Sequence, residues 1–118
     1  MGESRLMRSM LLDFYGELLT EKQRDCFDMH YNEDLSLSEI AEQLGISRQG
    51  VWDNIRRAES ALQEIEAKTG LIRRFTGSQN RLRCLADRME ELKTLTTGRA
   101  RVLVDEASRD IEAMKLEG

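Results

Sequence analysis

The chain of 118 residues has no proline, two cysteines, one histidine, one tryptophan and 5% aromatic residues. Without proline nothing forces a helix to kink, and 34% charged residues favour long solvated helices. Cys26 and Cys84 have no metal-ligand spacing and predict two small buried or half-buried side chains rather than a redox pair. His30 has neither triad nor metal partners, so no chemistry is assigned to it. Long hydrophobic runs are missing too. Met10 to Phe14 is broken by Asp13 and is far too short to span a bilayer, so the expectation is a cytoplasmic protein with no export signal and no membrane insertion. A glycine-rich phosphate loop, a nucleophile with its base and a paired-carboxylate pocket are all absent, which argues against an enzyme and against any cofactor or metal. No alternating β pattern competes either, because Asp105 and Glu106 follow directly on Val102 to Val104. The fold class expected is all-α.

The most informative segment runs from Thr20 to Ile65. Ser36 followed by Glu39 has capping-box spacing, in which hydroxyl and carboxylate satisfy free backbone N–H groups at a helix start. Leu37, Ile40, Ala41 and Leu44 then make one apolar face, and Gly45 supplies the positive φ that ends the helix. Ile46 carries the core across a tight turn. Ser47 caps a second helix, on which Val51, Ile55, Ala58 and Leu62 repeat at helical spacing. Two amphipathic helices joined by about three residues that include glycine form a helix-turn-helix of the DNA-binding type.

With Val51 turned inward, Gln49, Gly50, Asp53, Arg56, Arg57 and Ser60 point outward, Arg48 lies in the first turn, Trp52 sits at the flank and Asn54 falls nearer the core. In such units the N-terminal residues of the second helix reach base edges. Gln49 suits adenine, and Arg48 suits guanine or phosphate. The nucleic-acid site expected is therefore Arg48, Gln49, Asp53, Arg56, Arg57 and Ser60, with Arg73 and Arg74 as additional phosphate contacts. A plainer alternative is that Arg56 and Arg57 only solvate a face, paired to Asp53 three and four residues back. Gly50 costs a helix about 1 kcal/mol against alanine, so it can instead serve close backbone approach.

Charge weighs against a simple DNA binder. Residues 1 to 70 hold eight Lys/Arg and fourteen Asp/Glu, a net of −6, whereas residues 71 to 118 hold ten and eight, a net of +2. Nucleic-acid affinity comes largely from neutralised phosphates, which an acidic module supplies only if its basic residues cluster. Arg48, Arg56, Arg57, Arg73 and Arg74 are the available cluster, with Arg81, Arg83 and Arg88 behind them. The whole-chain charge of −4 equally fits a protein partner.

Ahead of the motif, Leu11, Phe14, Tyr15 and Leu18 predict one side of a helix from Arg5 to Leu19. Thr20 with Gln23 starts the next, on which Phe27 and Tyr31 form a core stripe. Asn32 to Leu35 reads as an acidic loop. The second helix of the motif has no strong breaker before Thr69 and Gly70. Leu71, Ile72 and Phe75 are expected to fold the chain back, and Thr76, Gly77 and Ser78 to form a turn and cap. Leu82, Leu85, Met89 and Leu92, then Val104, Ala107, Ile111 and Met114, make two short heptad-like stripes. They suit an antiparallel hairpin on the long helix, which their shortness favours, or a homodimer with a second chain. The organisation expected is a helix-turn-helix domain over residues 1–70 and a helical extension over residues 71–118.

Residues 11 to 75 resemble the bacterial YlxM family, small helix-turn-helix proteins similar to region 4 of RNA polymerase sigma factors. The resemblance is carried by DFYGELLTEKQ at 13 to 23, LSLSEIAEQLGISRQ at 35 to 49 and DNIRRAE at 53 to 59. The middle piece is generic to helix-turn-helix proteins, while the outer two make the match specific. Where the family usually carries alanine and tyrosine, this chain has Gly50 and Trp52. The genes of that family typically lie beside that of the signal recognition particle GTPase. The resemblance therefore implies an accessory or regulatory role in co-translational targeting, with the particle's RNA, its GTPase, or both as partners. The alternatives are a DNA-binding transcriptional regulator and a pure protein-interaction module.

Overall fold

A computed structural model describes residues 2–117, with side chains from Arg5 onward; Met1 and Gly118, the outer ends of the two expected domains, lie outside the described residues. The described residues form six helices and no strand: α1 Gly2–Tyr15, α2 Glu21–Tyr31, α3 Leu37–Leu44, α4 Arg48–Thr69, α5 Leu71–Leu95 and α6 Gly98–Glu117. A 3-10 turn, Gly16–Leu18, follows α1. The chain divides into two units, residues 1–72 and 73–118.

The first unit is built on α4. Val51, Ile55, Ala58 and Leu62 are completely buried along one side of that helix. The upper pair packs with Cys26 of α2 and Ile40 of α3, and the lower pair with Leu11 and Tyr15 of α1, Phe27 of α2 and Ile72. Completely burying a Val, Ile or Leu side chain is worth about 1.5–3 kcal/mol, so this line is the largest single source of cohesion. Phe27 and Tyr31 pack with their rings tilted by 58° and 4.8 Å between centroids. The Arg8 guanidinium covers the other face of the same cluster, 4.3 Å from the Tyr31 ring centroid and 3.2 Å from Glu59.

Local chemistry sets each helix boundary. Thr20 and Gln23 form a complete capping box, as do Ser36 and Glu39. Gly45 ends α3 at φ 68°, and its N–H reaches the Ala41 carbonyl. Two expectations need correction at the first helix. It leaves α geometry at Tyr15, and the tighter 3-10 turn rotates Leu18 out of register, so Leu18 is exposed. Phe14, at the margin of the stripe, is also largely exposed, and only Leu11 and Tyr15 are buried. Of the cysteines, Cys26 is buried as expected, but Cys84 is exposed. Burial pushes the Cys26 thiol above its ordinary range, with the Asp25 carboxylate adding to it.

The turn expected at Thr76, Gly77 and Ser78 is not there, since α5 runs unbroken through it. The break expected at Thr69 and Gly70 is present, with Gly70 at φ 63°, and its geometry is held by side chains. Tyr15 donates to Glu66 at 2.6 Å and lies 2.7 Å from the Thr69 hydroxyl; the same Glu66 oxygen accepts the N–H of Ile72 at 3.0 Å. A free N–H at the start of α5 is thereby satisfied without a serine or aspartate cap. Gly77 has open space around it, and three weak helix formers inside a 25-residue helix cannot by themselves stop it.

In the second unit α5 and α6 are joined through Thr96 and Thr97, and Arg101 donates to the Lys93 carbonyl at 3.0 Å. The expected stripes are each split. Leu82 and Ile111 are buried, with Met89 and Val104 half-buried, whereas Leu85, Leu92 and Met114 stay exposed. Each helix therefore has a second apolar line beside the first.

Two glycine substitutions should act in opposite directions. Gly45→Ala meets no neighbouring atom but must hold a left-handed φ, costing about 1–2 kcal/mol, whereas Gly77→Ala in open helix should add up to about 1 kcal/mol. Urea unfolding midpoints check both. Tyr15→Phe should cost about 2 kcal/mol by removing the donor to Glu66. Burial, then Glu66, raises the Tyr15 phenol above its ordinary 10.0, so the folded form resists ionisation. Its contribution is complete below pH 10.0 and is lost as the pH rises through the raised value. Alkaline unfolding curves of Tyr15→Phe should be correspondingly flatter.

Candidate nucleic-acid interface

The start of α4 is fixed from both sides. Ser47 caps it by accepting the Gly50 N–H at 3.0 Å, while Val51 and Ile55 anchor the first turns in the core. Gly50 is not on the outer face. A Cβ there would sit 3.2 Å from the Ser47 hydroxyl and 3.8 Å from Ile46 Cδ1, so this glycine makes room for the cap. Asn54 is half-buried and donates back to the Gly50 carbonyl at 2.8 Å.

The other residues form two adjoining depressions along α4. A groove of about 560 Å³ lies between the starts of α3 and α4, lined by Ser36, Leu37, Ser38, Ser47, Arg48, Gln49 and Trp52. A second, of about 330 Å³, is lined by Asp53, Arg56, Arg57 and Ser60. Gln49, Asp53, Arg56, Arg57 and Ser60 share one side of α4, while Arg48 is exposed in its first turn at the groove. Arg73 and Arg74, exposed on α5, line neither depression.

Pairing on this side differs from the plain expectation. Asp53 accepts from Gln49 at 3.1 Å, and no ion pair joins it to Arg56 or Arg57 among the described residues. Among the described residues Arg48, Arg56 and Arg57 face solvent with no carboxylate partner, as does Arg24 on α2, whereas Arg5 and Arg8 are paired. Such cations lose no internal contact when they meet an anion. Trp52 is 39% exposed at the groove wall. Its indole and the Arg48 side chain line the same groove.

Sequence reasoning gave Ser36 and Leu37 only structural roles and Ser38 none, yet these three complete the groove at the start of α3. The capping box held the signal, because the N-terminus of a helix also presents unsatisfied N–H groups to an anion. Hydrogen bonds from the Ser36 backbone and hydroxyl hold the Glu39 carboxyl below its ordinary range.

The family model described as "UPF0122: Putative helix-turn-helix protein, YlxM / p13 like" matches residues 2–101. The chain belongs to this family. A UPF0122 protein of Thermoanaerobacter sp. (strain X514) is 41% identical over 121 residues, covering 98% of this chain and 100% of the relative. One from Acetivibrio thermocellus is 52% identical over 73 residues, 62% of each chain. A third, from Geobacillus kaustophilus, is 49% identical over 75 residues, 64% of this chain and 68% of its own. An all-α helix-turn-helix protein of this family has nucleic-acid-binding potential. No described helix is long and apolar enough to cross a membrane.

Asp53→Asn keeps an acceptor for Gln49 but removes the one anion among the arginines. It should tighten binding to any nucleic acid about two- to fivefold with the salt slope unchanged, as read by fluorescence anisotropy. Weaker binding would mean that the carboxylate itself takes part in contact.

Proposed function

We propose that this chain is an accessory or regulatory protein of the signal recognition particle, acting in the cytoplasm and touching the particle's RNA through the α4 face, with its GTPase as the accompanying protein partner. The observation that carries the nucleic-acid part is the row of unpaired arginines, Arg48, Arg56 and Arg57, beside exposed Gln49 and Trp52. The targeting part rests on the resemblance carried by residues 13 to 23, 35 to 49 and 53 to 59.

RNA is favoured by Trp52. Specific RNA recognition uses unstacked bases laid on aromatic or guanidinium planes, and a half-exposed indole next to Arg48 offers both. A net of −6 over residues 1 to 70 leaves few phosphate contacts, which suits a protein that binds RNA together with a protein partner. The second reading is a DNA-binding transcriptional regulator. Gln49 at the start of α4 favours it, being placed where adenine is read in a major groove.

Anisotropy titrations against signal recognition particle RNA and a random duplex DNA, at two salt concentrations, with and without the GTPase, test the choice. RNA-preferring or GTPase-dependent binding is expected. Equal weak binding to both, unmoved by the GTPase, would overturn the targeting reading and direct the search to genomic DNA. Changing Arg56 and Arg57 together to alanine should weaken binding and lower the salt slope by about 1.4 on single strands or about 1.8 on duplex DNA. An unchanged slope would remove this face from the interaction.

A further inference from the structure

The second unit lacks what holds the first together. Both buried apolar clusters lie within residues 1–72, while among the described residues from 73 onward only Leu82, Ser108 and Ile111 are buried, each still 8% exposed. A stretch of some 45 residues with so little burial falls below what one apolar core sustains without further cover.

The cover it requires is set out in the sequence of α5 and α6. On α5, Leu82, Ala86, Met89 and Lys93 are the withdrawn positions; about 100° around the helix lie Arg81, Leu85, Arg88 and Leu92. On α6, Val104, Ser108, Ile111 and Lys115 are withdrawn, and Leu103, Ala107, Asp110 and Met114 lie about 100° around in the same rotational sense. Glu90 and Lys93 of α5 line one depression with Asp105, Ser108 and Arg109 of α6, so the two helices run side by side as an antiparallel hairpin, and equal rotations bring both second lines to the same broad side. Leu85 and Leu92 are 39% and 37% exposed there, and Leu103 and Met114 48% and 53%. That side is about 30 Å long and about 20 Å wide, an outline of about 600 Å², which matches the lower end of what each partner contributes to a standard interface.

Charge selects the occupant. The α5 segment carries six Lys/Arg against three Asp/Glu, and the α6 segment four against five. On this side α5 offers Arg81 and Arg88, and α6 offers Asp110. We propose that it is covered by a second copy of the same chain, paired about a two-fold axis parallel to the helices, so that each α5 lies antiparallel to the partner's α6 in a four-helix bundle. Leucines then meet near the turns, Leu92 against Leu103 of the partner subunit. Further along, Arg81 and Arg88 straddle Asp110 of the partner subunit. A two-fold axis across the helices would instead set α5 on α5 and bring the arginines together. The dimer also carries two helix-turn-helix units in one particle, which raises the effective concentration of the second after the first has bound.

Sedimentation equilibrium of the full chain should give twice the 13.6 kDa chain mass at micromolar concentrations. A mass of one chain at tens of micromolar overturns the proposal. Leu92→Glu and Leu103→Glu alter exposed positions and should leave the helical content unchanged while weakening association at least tenfold. A dimer that survives both is held elsewhere, which also overturns it. Arg88→Glu and Asp110→Arg should each dissociate the pair, and the double variant should restore it. Failure of that rescue rules out the α5-to-α6 arrangement, and none of these readouts depends on nucleic acid.

Discussion

The first unit depends on the apolar line of α4, the one helix that both buried clusters share. Val51, Ile55, Ala58 and Leu62 contact α1, α2 and α3 in turn, so a rotation of α4 by one residue would withdraw all four together. The same constraint aims the opposite side. With Val51 and Ile55 locked inward, Arg48, Arg56 and Arg57 have no choice but to face solvent. Core and candidate interface are two consequences of one helical phase, which is why packing can position a polar site without touching it.

Where a boundary depended on local chemistry, the sequence was legible. Capping boxes at Thr20/Gln23 and Ser36/Glu39, the glycine stop at Gly45 and the serine cap at Ser47 are short-range devices, and all are present. Boundaries set by distant partners were not. Glu66 takes the place of a cap for α5 because Tyr15, fifty-one residues earlier, holds its carboxylate; no local pattern announces that arrangement. The turn assigned to Thr76 to Ser78 failed for the complementary reason, since weak helix formers stop a helix only where packing or a left-handed φ assists. Gly50 was a third case. Its outward position on a helical wheel concealed the capping hydroxyl that occupies the space beside it.

The candidate site was legible as a set of residues but not as a shape. Wheel geometry picked out six side chains of α4, yet three of the seven residues lining the groove, Ser36, Leu37 and Ser38, come from the start of α3. Pairing was beyond reach as well: Asp53 stood equally near in sequence to Gln49, Arg56 and Arg57, and it is Gln49 that occupies it. That choice matters electrostatically, because it leaves the arginines available and puts a carboxylate within the polar row.

Three free arginines set a limit on what this face can do alone. If each neutralises one phosphate of a duplex, the logarithmic salt slope is about −2.7, well short of the six to ten contacts typical of tight binders. The remaining affinity has to come from terms that do not require positive charge. Stacking on Trp52 is one, worth about 1–3 kcal/mol per base where such platforms have been probed. A protein partner that brings the nucleic acid with it is another, and two linked copies of the unit are a third. All three tolerate an acidic domain, and the last two are favoured by it, because weak non-specific attraction to bulk nucleic acid leaves the chain free to be placed by its protein contacts.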